Sequence, residues 1–410
     1  MLRVHNLTPD GWLGKNYWTV EGRVTMIGDF TWFYDIPFEY DETSNLCEFE
    51  CRFYSPLSED FAHIDWNYLK KNKSKKLIIT HRVFKNLSHE AVDELNNYIY
   101  EYDCKDRVWF FTFNPKDFRF KKSANFRLAY LNSISTVKTE GSFLFLNRVR
   151  RGQVSWSDIV PNNRNEMFYP NQVDFSHSDK YFNFLAHRVT NHRLFAYHKL
   201  LQKNLANRGI TNFHAFETTS LNPPDYRAEF LNHESTLKSL DADIDDLMSY
   251  ISNSQTTDHA IKHPDSVDEI FVHMPHTASY SDIHSKSLLS FTNETAAIST
   301  DEIYITEKTF LNYALGRPFL INGNKDSLKW LNRYFGFQSF NSLFDESYDD
   351  IDNYLERADF VINELDKFCS LSFSKAKEKI TDMKPIFDHN RKVFMSIPHR
   401  DLFMKIFDEI

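Results

Sequence analysis

Short apolar runs alternate along this chain with stretches of helical spacing, and that alternation constrains the fold more than any other feature. Leu77 to Thr80 (LIIT) and Arg107 to Phe113 (RVWFFTF) read as buried strands. Between them Val92, Leu95 and Ile99 recur at helical spacing behind Ser88, which is placed to cap a helix N-terminus. Arg23 to Ile27 and Ser142 to Leu146 are further strand candidates. A strand–helix–strand order of this kind predicts an α/β fold with a largely parallel sheet.

Polar residues crowd Pro161 to Asp179, and the alternation then restarts. Tyr181 to Ala186 reads as a strand. A helix from about Arg193 to Asn207 follows, with Leu194, His198, Leu201 and Leu205 on one face and Gly209 as its C-cap. Glu269 to His273, Ser287 to Thr292 and Pro318 to Ile321 are strand candidates. Glu307 to Leu315, Ser327 to Tyr334 and about Tyr348 to Leu365 are helix candidates. A chain of 410 residues exceeds one ordinary core. The expectation is two Rossmann-like domains facing a cleft. One spans 1–175 and one spans 176–390; a C-terminal helix, Arg391 to Asp408 within 391–410, returns to the first.

Composition narrows the class. With 38 Phe against 10 Gly, the chain is neither collagen-like nor disordered. No run approaches the roughly 18–20 apolar residues that cross a bilayer, and the start lacks a secretion leader, so a cytoplasmic protein without a membrane span is expected. Cys47, Cys51, Cys104 and Cys369 lack zinc spacing and read as reduced thiols. Cys47 and Cys51 flank Glu48, Phe49 and Glu50, which fits a strand with one acidic face. The net charge of −9 is unevenly spread: residues 51–200 carry 24 Lys and Arg against 15 Asp and Glu, and residues 201–350 carry 11 against 22.

The densest chemical signal is YITEKTFLNYALGRPFLINGN, Tyr304 to Asn324. Thr306 is placed to cap a helix opened by Glu307 and Lys308 and closed by Gly316. Helix N-termini carry unpaired N–H groups and partial positive charge, so anions dock there. Lys308 opposes the dipole, which makes sense where an anion binds, and Glu307 is suited to the vicinal hydroxyls of a ribose. A second signal, FLAHRVTNHRLFAY, puts Arg188 and Arg193 at a strand-to-helix turn, where guanidinium forks suit a pyrophosphate. A third, SFTNETA, ends a strand with Asn293 and Glu294.

In their order these segments resemble the fucosyltransferase-type glycosyltransferases of the GT-B architecture. Closer still is the likeness to phage-encoded glycosyltransferases, carried by NET at Asn293 to Thr295, ITEKTFLNYALGRPF at Ile305 to Phe319 and GFQSFNSLFDESYD at Gly336 to Asp349. The resemblance covers roughly residues 180–366. It implies that a nucleotide-sugar donor is bound by Lys308 and Arg193 at its pyrophosphate and by Glu307 at its ribose, with Glu294 lining the pocket. It further implies catalysis with no metal and no other cofactor.

A glycosyltransferase that inverts configuration needs a base for the acceptor hydroxyl. Asp29 and Asp35 in GDFTWFYD, and His81 after LIIT, are the candidates. The acidic runs Asp241 to Asp246 and Asp349 to Asp352 read as solvated helix faces rather than a metal-binding DxD, and His273, His276 and His284 as loop histidines. The resemblance to phage enzymes implies hydroxymethylated pyrimidines of double-stranded DNA as acceptor, and three basic stretches, Lys70 to Lys76, Arg119 to Arg127 and Arg148 to Arg151, are compatible with it. The alternatives are a cell-surface or lipid-linked saccharide and, in another class, a non-catalytic nucleic-acid-binding protein.

Overall fold

The fold is seen in a computed structural model that describes residues 1–9, 27, 37–52, 56–81, 87–112, 114–130, 172–186, 191–213, 284–294, 296–397 and 399–410. It is α/β, and every strand pairing described is parallel. The chain divides into two compact units: Met1–Arg164 with Asp301–Ile303 and Pro398–Ile410, and Asn165–Thr300 with Tyr304–Ile397.

In the first unit β1 (Leu2–Asn6), β2 (Phe38–Tyr40), β3 (Leu46–Cys51), β4 (Lys76–His81), β5 (Val108–Thr112) and β6 (Arg127–Tyr130) form one sheet in the order β2-β1-β3-β4-β5-β6. Helices α1 (Leu57–Phe61) and α2 (Trp66–Lys71) connect β3 to β4, α3 (His89–Glu101) connects β4 to β5, and a 3₁₀ helix (Pro115–Lys122) leads to β6. Ser88 caps α3 by accepting the Ala91 N–H at 3.0 Å. Val92, Leu95 and Ile99 enter the core with Cys47, Phe49, Cys51, Leu77 and Ile79, so α3 buries the stripe its spacing marks.

Strand β3 departs from the usual parallel-sheet pattern of continuous apolar residues. Its acidic face is real, but it is buried: Glu48 and Glu50 are both wholly inaccessible. Glu48 accepts the Ile27 N–H at 3.0 Å and the Thr80 hydroxyl at 3.1 Å, and the Glu50 N–H donates to Thr8 Oγ1 at 2.9 Å. Ile27 is itself helical rather than extended, while 23–26 and 142–146 lie outside the described residues.

In the second unit β7 (Lys180–Ala186), β8 (Gly209–Phe213), β9 (Ser287–Asn293) and β10 (Phe319–Asn322) lie in the order β10-β9-β7-β8. Helix α4 (Asn191–Gln202) follows β7, and α5 (Glu307–Leu315) and α6 (Ser327–Phe335) flank β10. Helices α7 (Tyr354–Cys369), α8 (Phe373–Asp382) and α9 (Lys384–Ser396) complete the unit. Strand candidate 269–273 lies outside the described residues.

Four local expectations are corrected. Helix α4 stops at Gln202, short of Asn207, because Asn204 takes the left-handed conformation (φ 56°) and Leu205 N–H closes on Leu200 O at 2.8 Å. Gly209 is therefore not the cap of α4. Its backbone is extended, and a Cβ there would come within 2.5 Å of the Phe182 ring, so glycine serves strand packing. The helix expected from Tyr348 is split into a 3₁₀ turn (Glu346–Asp350) and α7, whose N-cap Asn353 accepts from Leu355 and Glu356. Likewise no single helix runs from Arg391 to Asp408. Ile397 before Pro398 has ψ 116°, as residues before proline prefer, and α10 (His399–Glu409) begins anew. Phe403 of α10 packs with Val4, Ile78, Trp109 and Phe111 in the first unit.

Candidate functional site

In the second sheet β7 has β8 on one side and β9 on the other, so the winding of the chain reverses between β7 and β9. Open parallel sheets bind ligands outside the carboxyl ends of their strands at such a reversal. Three of the segments singled out by sequence meet there. His192 and Arg193 lie in the first turn of α4, Asn293 and Glu294 end β9, and Thr306 to Lys308 open α5.

Glu294 is the hub, buried without accessible surface. Its N–H donates to Asn322 O at 3.1 Å, which ties it to β10. Its carbonyl accepts from His192 Nε2 at 2.7 Å and from the Arg193 guanidinium at 3.3 Å. Its carboxylate accepts the Thr306 N–H at 3.0 Å and the hydroxyls of Thr306 and Thr309, both at 2.5 Å. The acid thus clamps the start of α5. Thr306 in turn caps Lys308 N–H through Oγ1 and lies 3.3 Å from Lys308 Nζ.

Electrostatics follow from this placement. Arg193 is buried and Lys308 half-buried, so their charges are screened less than surface charges. Burial foremost, with the Arg193 guanidinium and the Lys308 ammonium, lowers His192 to about 4. The imidazole is therefore neutral near pH 7, and since a carbonyl only accepts, its proton sits on Nε2. Asn293 accepts from Asn322 Nδ2 at 2.9 Å, and its own Nδ2 finds no acceptor among the described residues. An anion at this point would meet two cations, the first turns of two helices and a spare amide donor.

Arg188, Asp29 and Asp35 lie outside the described residues, as do Asp241 to Asp246, His273 and His276. His81 closes β4 with its backbone in register with Cys51, and Glu307 is the first residue of α5; the side chains of both lie outside the described set. His284 is buried at the amino end of β9, the opposite edge from Glu294. There it meets Asn183 at 3.0 Å and the buried Arg317 at 2.7 Å. Asp349, read as a solvated acid, is buried and accepts the Leu328 and Lys329 N–H groups at the start of α6. Among the described residues no group of three or more His, Cys, Asp or Glu is placed to hold a metal ion, and no helix is long and apolar enough to cross a membrane.

The basic stretches are largely occupied within the protein. Lys73 pairs with Asp103, Lys75 donates to the carbonyls of Glu42 and Ser44, and Lys76 reaches the carbonyl of Ile410. Lys70 lies over the Tyr102 ring at 5.5 Å, Arg119 pairs with Asp301 at 3.2 Å and Arg127 covers Trp109 at 5.2 Å. Residues 148–151 lie outside the described set.

The structure also adds residues that sequence reasoning did not assign to the site: His192, Thr309, Asn322 and Tyr354, whose hydroxyl donates to His192 O at 2.9 Å. His192 and Thr309 flank residues already singled out. Nothing local marks Tyr354, which reaches the site from a helix 162 positions away. Set against known proteins, the chain matches no family model, no curated protein and no solved structure.

Proposed function

We propose that this protein is a glycosyltransferase that takes a sugar from a nucleoside-diphosphate donor, with the diphosphate bound where β7, β9, α4 and α5 meet. The observation that carries the reading is the convergence of Arg193 and Lys308 on Glu294 at the carboxyl edge of the second sheet. Diphosphate is a leaving group that gains negative charge as the glycosidic bond breaks. Cations and helix N-termini already oriented toward it stabilise that charge without reorganising. The ribose contact of Glu307 and the two-domain GT-B arrangement belong to the same proposal.

For the acceptor, the reading put to test is a hydroxymethylated pyrimidine of duplex DNA. The occupied lysines of the 70–76 stretch favour its rival, a saccharide hydroxyl. The first experiment is a thermal-shift panel of nucleoside diphosphates and nucleotide sugars. A ligand near 100 times its Kd raises stability by about 2.7 kcal/mol. If no nucleotide moves the transition, the donor reading is wrong. With the donor found, transfer to hydroxymethylated duplex DNA, unmodified duplex and oligosaccharides across a salt series separates the acceptors, because backbone-driven binding weakens as salt rises.

A further inference from the structure

The first turn of α7 gathers the backbone around the reversal between β7 and β9. Tyr354, itself buried, fixes the carbonyl of His192 at the start of α4. One turn on, the buried Arg357 donates from Nε to Gly323 O just past β10 (3.1 Å), and from its terminal nitrogens to Ile351 O (2.6 Å), Asp352 O (3.3 Å) and Ala297 O (2.6 Å). Its guanidinium also lies over the Tyr354 ring at 5.8 Å. One planar group therefore ties the segment leaving β9, the end of β10 and the approach to α7. Burying a cation against neutral carbonyls is a costly way to fill space, and an apolar side chain of similar volume fills it more cheaply. A five-donor fork gives what an apolar side chain cannot, a fixed geometry for several loops at once.

We propose that Tyr354 and Arg357 are positioning residues for the anion site. Tyr354 holds Arg193 through the His192 backbone, and Arg357 holds Glu294 and the start of α5 through Ala297 and Gly323. The inference rests on the donor reading for its ligand but not for its structural content, and two readouts separate them. In the full-length protein, calorimetry with uridine and guanosine diphosphates compares wild type, Tyr354→Phe, Arg357→Lys and Lys308→Ala. We expect Tyr354→Phe to weaken binding about 5- to 10-fold and Arg357→Lys more, since one ammonium cannot span three loops. In the Lys308→Ala background the loss from Arg357→Lys should shrink, because coupled residues are non-additive. Arg317→Lys, at the opposite edge of the sheet, should lower the melting temperature without changing affinity.

Hydrogen exchange supplies the second readout. Amides of 192–196 in Tyr354→Phe, and of 306–310 in Arg357→Lys, should exchange at least tenfold faster while β3 and β4 keep their protection. Wild-type binding with unchanged affinity and exchange in Tyr354→Phe and Arg357→Lys would overturn the proposal. If wild type binds neither nucleotide, the donor reading falls, and the exchange pattern alone still decides whether the two residues position these segments.

Discussion

The two units repeat one winding, and the described side chains at the point where it reverses differ. In the first sheet the reversal falls between β1 and β3, and the described groups near it include Thr8, Glu48, Glu50 and Thr80, with Arg52 just past β3 and paired to Asp60. In the second it falls between β7 and β9, and the edge carries Arg193 and Lys308 around Glu294. A buried carboxylate appears in both, but in different company. Glu48 takes the N–H of the helical Ile27 and a hydroxyl of the adjacent strand, whereas Glu294 organises two helix starts that bear cations. The same topology therefore gathers different side chains at the two reversals. Side-chain chemistry, not the winding, decides what such a crevice can bind.

The largest effect should come from removing a cation. Lys308→Ala is expected to cost about 2–4 kcal/mol of transition-state stabilisation, roughly a 30- to 1000-fold loss in kcat/KM. Glu50→Gln, the counterpart change in the first unit, should leave nucleoside-diphosphate affinity as it is. Equal losses of diphosphate affinity in both variants, measured by calorimetry, would erase the contrast between the two edges.

Acid should act oppositely on two buried groups, His192 in the second unit and Asp117 in the first. His192 is depressed from 6.5 to about 4, so between those values the unfolded chain takes up a proton that the folded unit refuses. Stability present above pH 6.5 is thus lost as pH falls through that window, by about 2–3 kcal/mol near its lower end. The fully buried His284, also depressed, adds to the loss, while Glu346, raised to about 7 mainly by burial, opposes it. In the first unit Asp117 is raised from 3.8 to about 6, chiefly by burial and despite hydrogen bonds from Thr112, Leu87 and Asn114. Its folded form holds a proton that the unfolded chain releases, so Asp117 adds stability over much of the range where His192 loses it. Hydrogen exchange from pH 7 to 4.5 reads both trends; a His192→Gln variant that keeps the full acid loss in α4 would refute the assignment.

Helix caps give the smallest and sharpest comparison. Ser88→Ala should cost about 1 kcal/mol of stability, as N-cap truncations do, with nucleotide affinity unchanged. Thr306→Ala removes a cap and, with it, a hydroxyl that bonds Glu294 and faces Lys308 Nζ. It should therefore lose both stability and affinity. Urea denaturation beside calorimetry checks the pair, and an affinity loss confined to Ser88→Ala would reverse the argument.

Much of this was legible one segment at a time. Ser88 and Thr306 cap the helices that follow them, and Gly316 closes α5 in the left-handed conformation at φ 62°, because each signal is spent within four residues of its position. The apolar runs of β4, β5, β7, β9 and β10 are likewise strands, since a parallel sheet buries both faces and leaves an uninterrupted apolar record. Sequence alone also put Arg193, Glu294 and Lys308 on strand ends and helix starts, where chemistry could occur.

What those residues do there was decided only by packing. Glu294 reads as a pocket-lining acid, yet its oxygens are taken by Thr306 and Thr309, more than ten residues along the chain. Gly209 reads as a helix cap, yet the constraint on it is the Phe182 ring of the neighbouring strand. The lysines of KKNKSKK read as a phosphate-binding patch, yet Lys73 finds an aspartate and Lys75 carbonyls about thirty residues away, and Lys76 reaches the C-terminus. Arg357 offers no local signal at all, because a buried guanidinium is defined by the carbonyls that surround it. Backbone preference is a property of neighbours in sequence; burial and charge pairing belong to neighbours in space, and only the folded chain assigns those.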